Sequence, residues 1–531
     1  MSHSTVPSPP VTSGPARRHG LPALATAAAV ALGALGLAAA PAFAETPAGA
    51  DRPIRFHHQR LDWHGCKTGP DDRAGASLDA AGAQCAEVTV PLDYRRPGGR
   101  TISVAISRIK ATDPAGRRGV LLTNPGGPGG PGLDLVASLA QWSPALTSRY
   151  DLIGMDPRFT GRSTPIRCGW KTDVFLRSAG PNRRTFNESA ALMKELAAKC
   201  ARGNRDVLPY ASTRNTARDM DVVRAVLGEP KLSYLGYSYG TYLGAVYTQM
   251  FGARADRIVL DSAVNPDTYG PGLLSGNEPA ITAALRNWAA WAAAHDKDHG
   301  LGDTTTEVLA TVNHVNRAAA RRPLRIGGYR IDSHHIPYLL FGPLYEDGEK
   351  AYADFATQVR ALADATRGTV VTAPPSLKAS LDSLFTGTGA LDAQAPIICA
   401  DRAASRDPET YFRDIQAHRA DEPLYGPLIR NITPCAFWPT APVEAPTKVR
   451  NGVPVLVVGN DGDPGSPYLG QQAMHRALTG SRMVTLRGAY RHATYLGAGN
   501  SCVNTTVERY LIDGVLPGGD VTCVKDVTPA G

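Results

Sequence analysis

The run Gly236-Tyr237-Ser238-Tyr239-Gly240 lies where a strand-like segment, KLSYLGYS (231–238), passes directly into a helix-like one, TYLGAVYTQMFGA (241–253). No other feature constrains the chain as much. A serine held in a tight strand-to-helix turn needs strained backbone angles, and flanking glycines keep that turn free of clashes. Such a turn lifts the hydroxyl out of a sheet and aims the following N–H groups and the helix N-terminus at one point. The pentad alone is a loose pattern, and its strand-before, helix-after context gives it meaning. Ser238 is therefore expected as a nucleophile at the edge of a sheet.

The rest of the chain says what kind of sheet. VTVPLDY (88–94) and TISVAISRI (101–109), separated by RRPGGR, read as a hairpin. GVLLTN (119–124), YDLIGMD (150–156), RIVLDSAV (257–264), VPVLVVGND (453–461) and SRMVTLRG (481–488) are short apolar runs suited to strands buried on both faces. Helix-like LDLVASLAQW (133–142), TARDMDVVRAVLG (216–228), LGQQAMHRAL (469–478) and VNTTVERYLIDG (503–514) alternate with them. Alternation of this kind predicts a parallel sheet flanked by helices. It stops near Asn265, and the chain is mostly helical until about residue 440. The expected architecture is an α/β-hydrolase fold with a helical lid insertion: core at 45–265 and 441–531, lid at 266–440.

Partners for Ser238 follow from the chain order this fold uses, serine, then acid, then histidine. The strand VPVLVVGN leads into Asp461-Gly462-Asp463-Pro464, and Asp463, beyond the strand and before a proline that sets the turn, is the expected acid. Asp461 remains an alternative; its other role would be to cap the turn. His492 follows the strand SRMVTLRG and is the expected base. The glycine-rich loop Asn124-Pro125-Gly126-Gly127-Pro128-Gly129-Gly130-Pro131-Gly132 contains a literal G-x-G-x-x-G, from Gly127 through Gly129 to Gly132, with Asp156 at the end of the next strand. A dinucleotide site is disfavoured, because Pro128 and Pro131 remove two N–H donors that a pyrophosphate would use. On the hydrolase reading Gly127 N–H and Tyr239 N–H form an oxyanion hole. No cofactor and no metal is called for.

The first stretch predicts export. Arg17 and Arg18 precede the apolar run LPALATAAAVALGALGLAAA and then PAFA, which reads as a cleaved signal over 1–44, leaving no stable membrane association. Eight cysteines, an even number without C-x-x-C spacing, suit disulfides in an oxidising compartment rather than a metal site. Sequence neighbours close the shortest loops, favouring Cys66 with Cys85, Cys168 with Cys200, Cys399 with Cys435 and Cys502 with Cys523. The net charge of +8 is spread along the chain without a basic stripe, so nucleic acid is not an expected partner.

Taken together, TNPGGPGGPG, YDLIGMDPRFTGRSTPIRC, LSYLGYSYGTYLGAVYTQMF, RIVLDSAVNPD, IICAD, PCAFWP and SCVNTTVERYLIDGVLPGGDVTC resemble the secreted tripeptidyl aminopeptidases of actinomycetes, serine exopeptidases related to prolyl aminopeptidases. The resemblance runs from about residue 60 to 525. It implies release of short peptides, often tripeptides, from free N-termini of peptides or proteins. It carries the nucleophile to Ser238, the acid to Asp463 and the base to His492, and it supports the 399–435 and 502–523 pairings. YRHATY, DPGSP and DPRFTG depart from the family's usual runs and put side-chain preference in question. An aminopeptidase must meet a charged α-amine, and Asp401 and Glu278 are the candidate carboxylates. An esterase or a hydrolase of non-peptide amides would share the same triad.

Overall fold

The computed structural model describes residues 54–526; the leader expected at 1–44 lies outside them. Eleven strands are present among the described residues: β1 Gln84–Pro91, β2 Thr101–Ile109, β3 Val120–Asn124, β4 Asp151–Met155, β5 Leu232–Tyr237, β6 Ala255–Asp261, β7 Leu324–Ile326, β8 Tyr329–Ile331, β9 Val455–Asn460, β10 Ser481–Arg487 and β11 Val521–Val524. Nine of them form one sheet in the order β1-β2-β4-β3-β5-β6-β9-β10-β11. The β1–β2 and β2–β4 pairs are antiparallel, and every other pair in this sheet is parallel. This is the fold expected from the alternating pattern.

The apolar runs are continuous because alternate side chains leave a strand on opposite faces and both faces are covered. Val120 and Leu122 of β3 join one apolar cluster, with Val223 and Val246 from the helices Thr213–Val226 and Tyr239–Phe251. Leu121 joins the other, with Val136 and Leu139 of Leu135–Trp142 and Val507 of Ser501–Asp513. Two elements go beyond the sequence reading. Arg183–Ala201 is a helix of 19 residues, started by an Asn182 and Thr185 capping box. β11 extends the sheet by four residues at its edge.

Between β6 and β9 the chain builds a third apolar cluster of its own, around Trp288, Leu339, Phe355 and Leu381. Helices Glu278–Ala294, Thr305–Arg321 and Glu349–Ala365 supply most of it, and β7 and β8 form a small hairpin beside them. The segment is not uniform. Ile397, Ile398, Cys399 and Cys435 belong to the sheet's cluster instead, so its last part packs on the core.

All eight cysteines are paired, as 66–85, 168–200, 399–435 and 502–523. Each bridge joins sequence neighbours, as the short-loop argument favours. The turn DPRFTGRS after β4 is held from inside: Arg158, fully buried, grips Asp219 through Nε and Nη2, each at 2.7 Å. Among the described residues no helix is long and apolar enough to cross a membrane.

Candidate active site

Four strands end level with one another. Asn124 of β3 pairs with Gly236, Tyr237 of β5 with Asp261, and Asp261 of β6 with Val458. The loops after β3, β5, β6 and β9 therefore meet at the carboxyl edge of the sheet, where open α/β sheets hold their ligands.

Ser238 follows β5 with φ 55° and ψ −123°, a left-handed region costly for a residue with a side chain. Its N–H donates to Asp261 O at 3.0 Å. The flanking glycines are there for space. A Cβ on Gly236 would lie 2.5 Å from Gly240 O, and one on Gly240 2.8 Å from Asn124 Oδ1. The glycine-rich loop closes in from the other side, so that a Cβ on Gly126 would lie 2.9 Å from Ser238 Cβ. Among the described residues, neither Gly127 N–H nor Tyr239 N–H donates to another protein group. Both residues line the cavity that holds Ser238.

Asp156 explains why the dinucleotide fingerprint is a decoy. Its buried carboxylate accepts from Gly132 N at 2.7 Å and from Arg162 N at 2.7 Å. It ties the glycine loop to the next turn and is closed to a ribose.

His492 and Asp463 meet directly. His492 Nδ1 lies 2.9 Å from Asp463 Oδ1 and 3.1 Å from Oδ2. Asp463 is fully buried and accepts from Gly465 N at 2.8 Å and Ser466 N at 2.9 Å as well. Asp461 faces away, accepting from Gly488 N at 2.9 Å, and so caps the turn. Burial alone would lower the His492 pKa, but the Asp463 carboxylate overrides it and holds the ring above its ordinary value. Ser238 and His492 open into the same cavity.

Four residues not singled out from the sequence hold these loops in place. Asp261, fully buried, accepts from Thr494 N at 3.0 Å and Tyr495 N at 2.6 Å, just beyond His492. Burial pushes its carboxyl up to about 6. Asn277, at the start of the first lid helix, donates to Pro464 O at 3.2 Å and Gly465 O at 2.8 Å. Asp347, on the lid, accepts from Tyr490 N at 2.9 Å and Lys525 Nζ at 2.6 Å. His492 N also donates to Tyr345 O at 2.9 Å, with the two rings 4.8 Å apart. Asp261 carries a local signal, as the last residue of an apolar strand run; Asn277, Asp347 and Tyr345 act across long sequence separations and carry none.

The cavity over Ser238 has a volume of about 400 Å³. Its walls are mainly apolar, from Val264, Leu273 and Leu274 after β6, Ile398 and Leu428 in the lid, and Phe175 in the loop before Arg183–Ala201. That last loop, which precedes β5 in the chain, extends the roof beyond the 266–440 segment expected to supply it. Among the described residues no Asp or Glu lines the cavity. Asp401 lies behind the wall, buried, with its carboxylate accepting from Thr213 N at 2.7 Å and Thr213 Oγ1 at 2.5 Å. Burial pushes it up to about 7, toward a neutral acid poorly suited to meet an amine. Glu278 is half-buried and accepts from Thr282 Oγ1 at 2.6 Å; it too is outside the lining. The amine contact expected of these two carboxylates is therefore not made at the cavity wall. Among the described residues no His, Cys, Asp and Glu cluster is arranged to hold a metal ion.

A mostly parallel sheet carrying a strained serine turn between β5 and its helix defines an α/β-hydrolase. Family models agree along the chain: "alpha/beta hydrolase fold" matches residues 119–296 and "TAP-like protein" matches 422–523. The "Tripeptidyl aminopeptidase" of Streptomyces lividans is 36% identical over 464 residues, covering 84% of each chain. "Serine protease Hip1" of Mycobacterium tuberculosis is 29% identical over 468 residues, covering 83% of this chain and 87% of that one. "Carboxylesterase B" of the same species is 28% identical over 539 residues, covering 93% and 96%. The chain belongs to the tripeptidyl aminopeptidase family and is a serine hydrolase.

Proposed function

We propose that this protein is a secreted serine exopeptidase that releases short peptides, tripeptides foremost, from free N-termini. The observation that carries the reading is one covered cavity into which the strained Ser238 turn and the Asp463-bound His492 both open. Its volume of about 400 Å³ falls in the range of pockets that enclose a small ligand rather than a protein surface. Four disulfides and the apolar leader-like run support export. In this reading the segment 266–440 is the lid that limits how much chain enters.

The chemistry follows from the groups present. His492 Nε2 takes the Ser238 proton while Asp463 holds Nδ1–H and stabilises the imidazolium. Ser238 Oγ attacks the scissile carbonyl carbon, and the oxyanion is met by Gly127 and Tyr239 N–H. His492 returns the proton to the leaving amine, an acyl-enzyme remains, and water activated by His492 releases the acid.

The test is hydrolysis of chromogenic tripeptide anilides with free and acetylated N-termini by wild type and Ser238→Ala. The free substrate is cleaved well, the acetylated one poorly, and Ser238→Ala falls by about a millionfold in kcat. Equal cleavage of both substrates would sink the exopeptidase claim, and activity surviving in Ser238→Ala would sink the nucleophile. One observation favours a second reading, an esterase or non-peptide amidase: among the described residues no carboxylate lines the cavity to receive an amine. Preferred cleavage of neutral p-nitrophenyl esters over every tripeptide anilide would select it.

A further inference from the structure

Among the described residues Arg177 is the one arginine, lysine or acidic side chain in the cavity wall. It lies in the loop between Cys168 and the helix Arg183–Ala201, and is only partly exposed. Its backbone is pinned, because Asn431 Nδ2, also from the cavity wall, donates to Arg177 O at 2.6 Å. One end of its guanidinium is committed: Nη1 donates to His335 Nε2 at 3.1 Å. A guanidinium only donates, so His335 Nε2 is an acceptor there, and its proton sits on Nδ1, 2.7 Å from Asp332 Oδ1. The negative charge nearest in this chain of contacts is thus one imidazole away. Glu188, the other acid acting on Arg177, is half exposed and pairs with Arg184.

The other edge of the guanidinium is unspent. Among the described residues nothing accepts from Arg177 Nη2, and Nε is enclosed without any hydrogen-bond partner. Two other arginines of this protein show what that edge is for. Arg158 uses Nε and Nη2 to hold both oxygens of Asp219, at 2.7 Å each. Arg430 does the same with Glu422, at 2.5 and 2.7 Å. A guanidinium stays charged at any pH the protein meets, and its Nε–Nη2 fork matches a carboxylate in two parallel hydrogen bonds. A charge held in an apolar wall without its counter-ion is costly, and a ligand that supplies the counter-ion gains from it.

We propose that Arg177 is a specificity-determining residue that binds a carboxylate side chain, Asp or Glu, in the acyl part of the substrate. The proposal rests on the serine peptidase reading above and adds the substrate class to it. A neutral substrate leaves Nη2 without an acceptor; an acidic one supplies it, and the enclosed Nε joins only if the wall around it shifts.

The experiment compares free-N-terminal tripeptide anilides that carry Glu, Gln or Leu at each of the three positions in turn, the rest alanine. Wild type, Arg177→Gln and Arg177→Lys are assayed, with thermal midpoints measured in parallel. At one position wild type prefers Glu over Gln by about tenfold to a hundredfold in kcat/KM, the scale of a charged hydrogen bond made or left unmade. Arg177→Gln abolishes that preference and leaves the Leu and Gln substrates within about twofold. Arg177→Lys keeps part of it, because the charge remains and the fork does not. Equal rates on Glu and Gln at all three positions in wild type would overturn the proposal. So would an equal loss on every substrate in Arg177→Gln, which would make Arg177 a support of the cavity wall. Failure of wild type on every tripeptide anilide would sink the peptidase reading instead. The same question is then decided with p-nitrophenyl esters whose acyl chains end in carboxylate or carboxamide: Arg177-dependent preference for the acid supports the proposal, and its absence ends it.

Discussion

The floor and the roof of the cavity are built in different ways. The floor is the carboxyl edge of the sheet, where Ser238, Gly127, Asp463 and His492 sit on loops one to a few residues beyond a strand. Each is positioned by its own neighbours: Gly236 and Gly240 around the serine, Gly465 and Ser466 N–H around Asp463. The roof comes from Phe175, Leu176 and Arg177 before β5, Leu273 and Leu274 after β6, and Ile398, Leu428 and Asn431 far along the chain. Long-range packing places those residues: Leu274 and Leu428 belong to the separate cluster, with Leu176 and Leu273 packed against it, while Phe175 and Ile398 join the sheet's cluster. On the proposed reading the floor carries the chemistry that serine hydrolases share, and the roof carries what is particular to this one. Floor substitutions are expected to cut rate on all substrates, and roof substitutions to alter rate or preference more modestly.

The sharpest break of that contrast is Asp463→Asn. The amide cannot hold the His492 tautomer or stabilise the imidazolium, so kcat falls by about ten-thousandfold on every substrate, with the thermal midpoint little moved. A loss below about tenfold would hand the acid role to another carboxylate, with Asp261 the nearest in hand.

Next in size is the pH dependence. As the proposed base His492 must be neutral, and the Asp463 carboxylate holds its pKa above the ordinary imidazole value of about 6.5. Protonation then costs activity from a higher pH downward. In wild type, kcat/KM rises about tenfold per pH unit on the acid limb and levels off above a midpoint higher than 6.5. In residual Asp463→Asn activity the midpoint moves down, because burial then acts without the carboxylate. A midpoint at or below 6.5 in wild type would show that desolvation outweighs Asp463 at this ring.

The same contrast explains what was legible. Parallel strands buried on both faces leave continuous apolar runs, so β3, β4, β5, β6, β9 and β10 could be read directly. The serine turn, the two aspartates after β9 and the histidine after β10 stand beside those runs, and their order along the chain narrowed them further. The choice between Asp461 and Asp463 depended on which side of the turn each carboxylate faces, and that is set by three-dimensional neighbours. Asp401 illustrates the opposite case. A carboxylate in a family-like run looked suited to an amine, yet its helix Gln394–Asp401 packs against the sheet side and gives the acid to Thr213. Helix Arg183–Ala201 had a visible cap and apolar periodicity, but its approach to the cavity depends on a loop whose folding is set by distant contacts. Arg177 could not have been picked out among so many arginines without knowing which guanidinium edges are filled.

The smallest effect tests whether roof and floor are as separate as this suggests. Asp347 belongs to the roof in sequence, yet it holds Tyr490 N at 2.9 Å and lies 3.6 Å from Arg491 Nη1, on the two residues before His492. Asp347→Ala leaves the half-buried Tyr490 N–H without its acceptor and frees Lys525. If the roof positions the base, kcat falls by about tenfold with KM nearly unchanged, because a slight displacement of His492 costs proton transfer and not binding. Asp347→Asn, which keeps an acceptor oxygen for Tyr490 N, recovers most of the loss. If instead both variants lower the thermal midpoint while kcat at low temperature stays at the wild-type value, Asp347 only packs the roof onto the sheet. His492 would then owe its position to the floor alone, through Asp261 and Asp463.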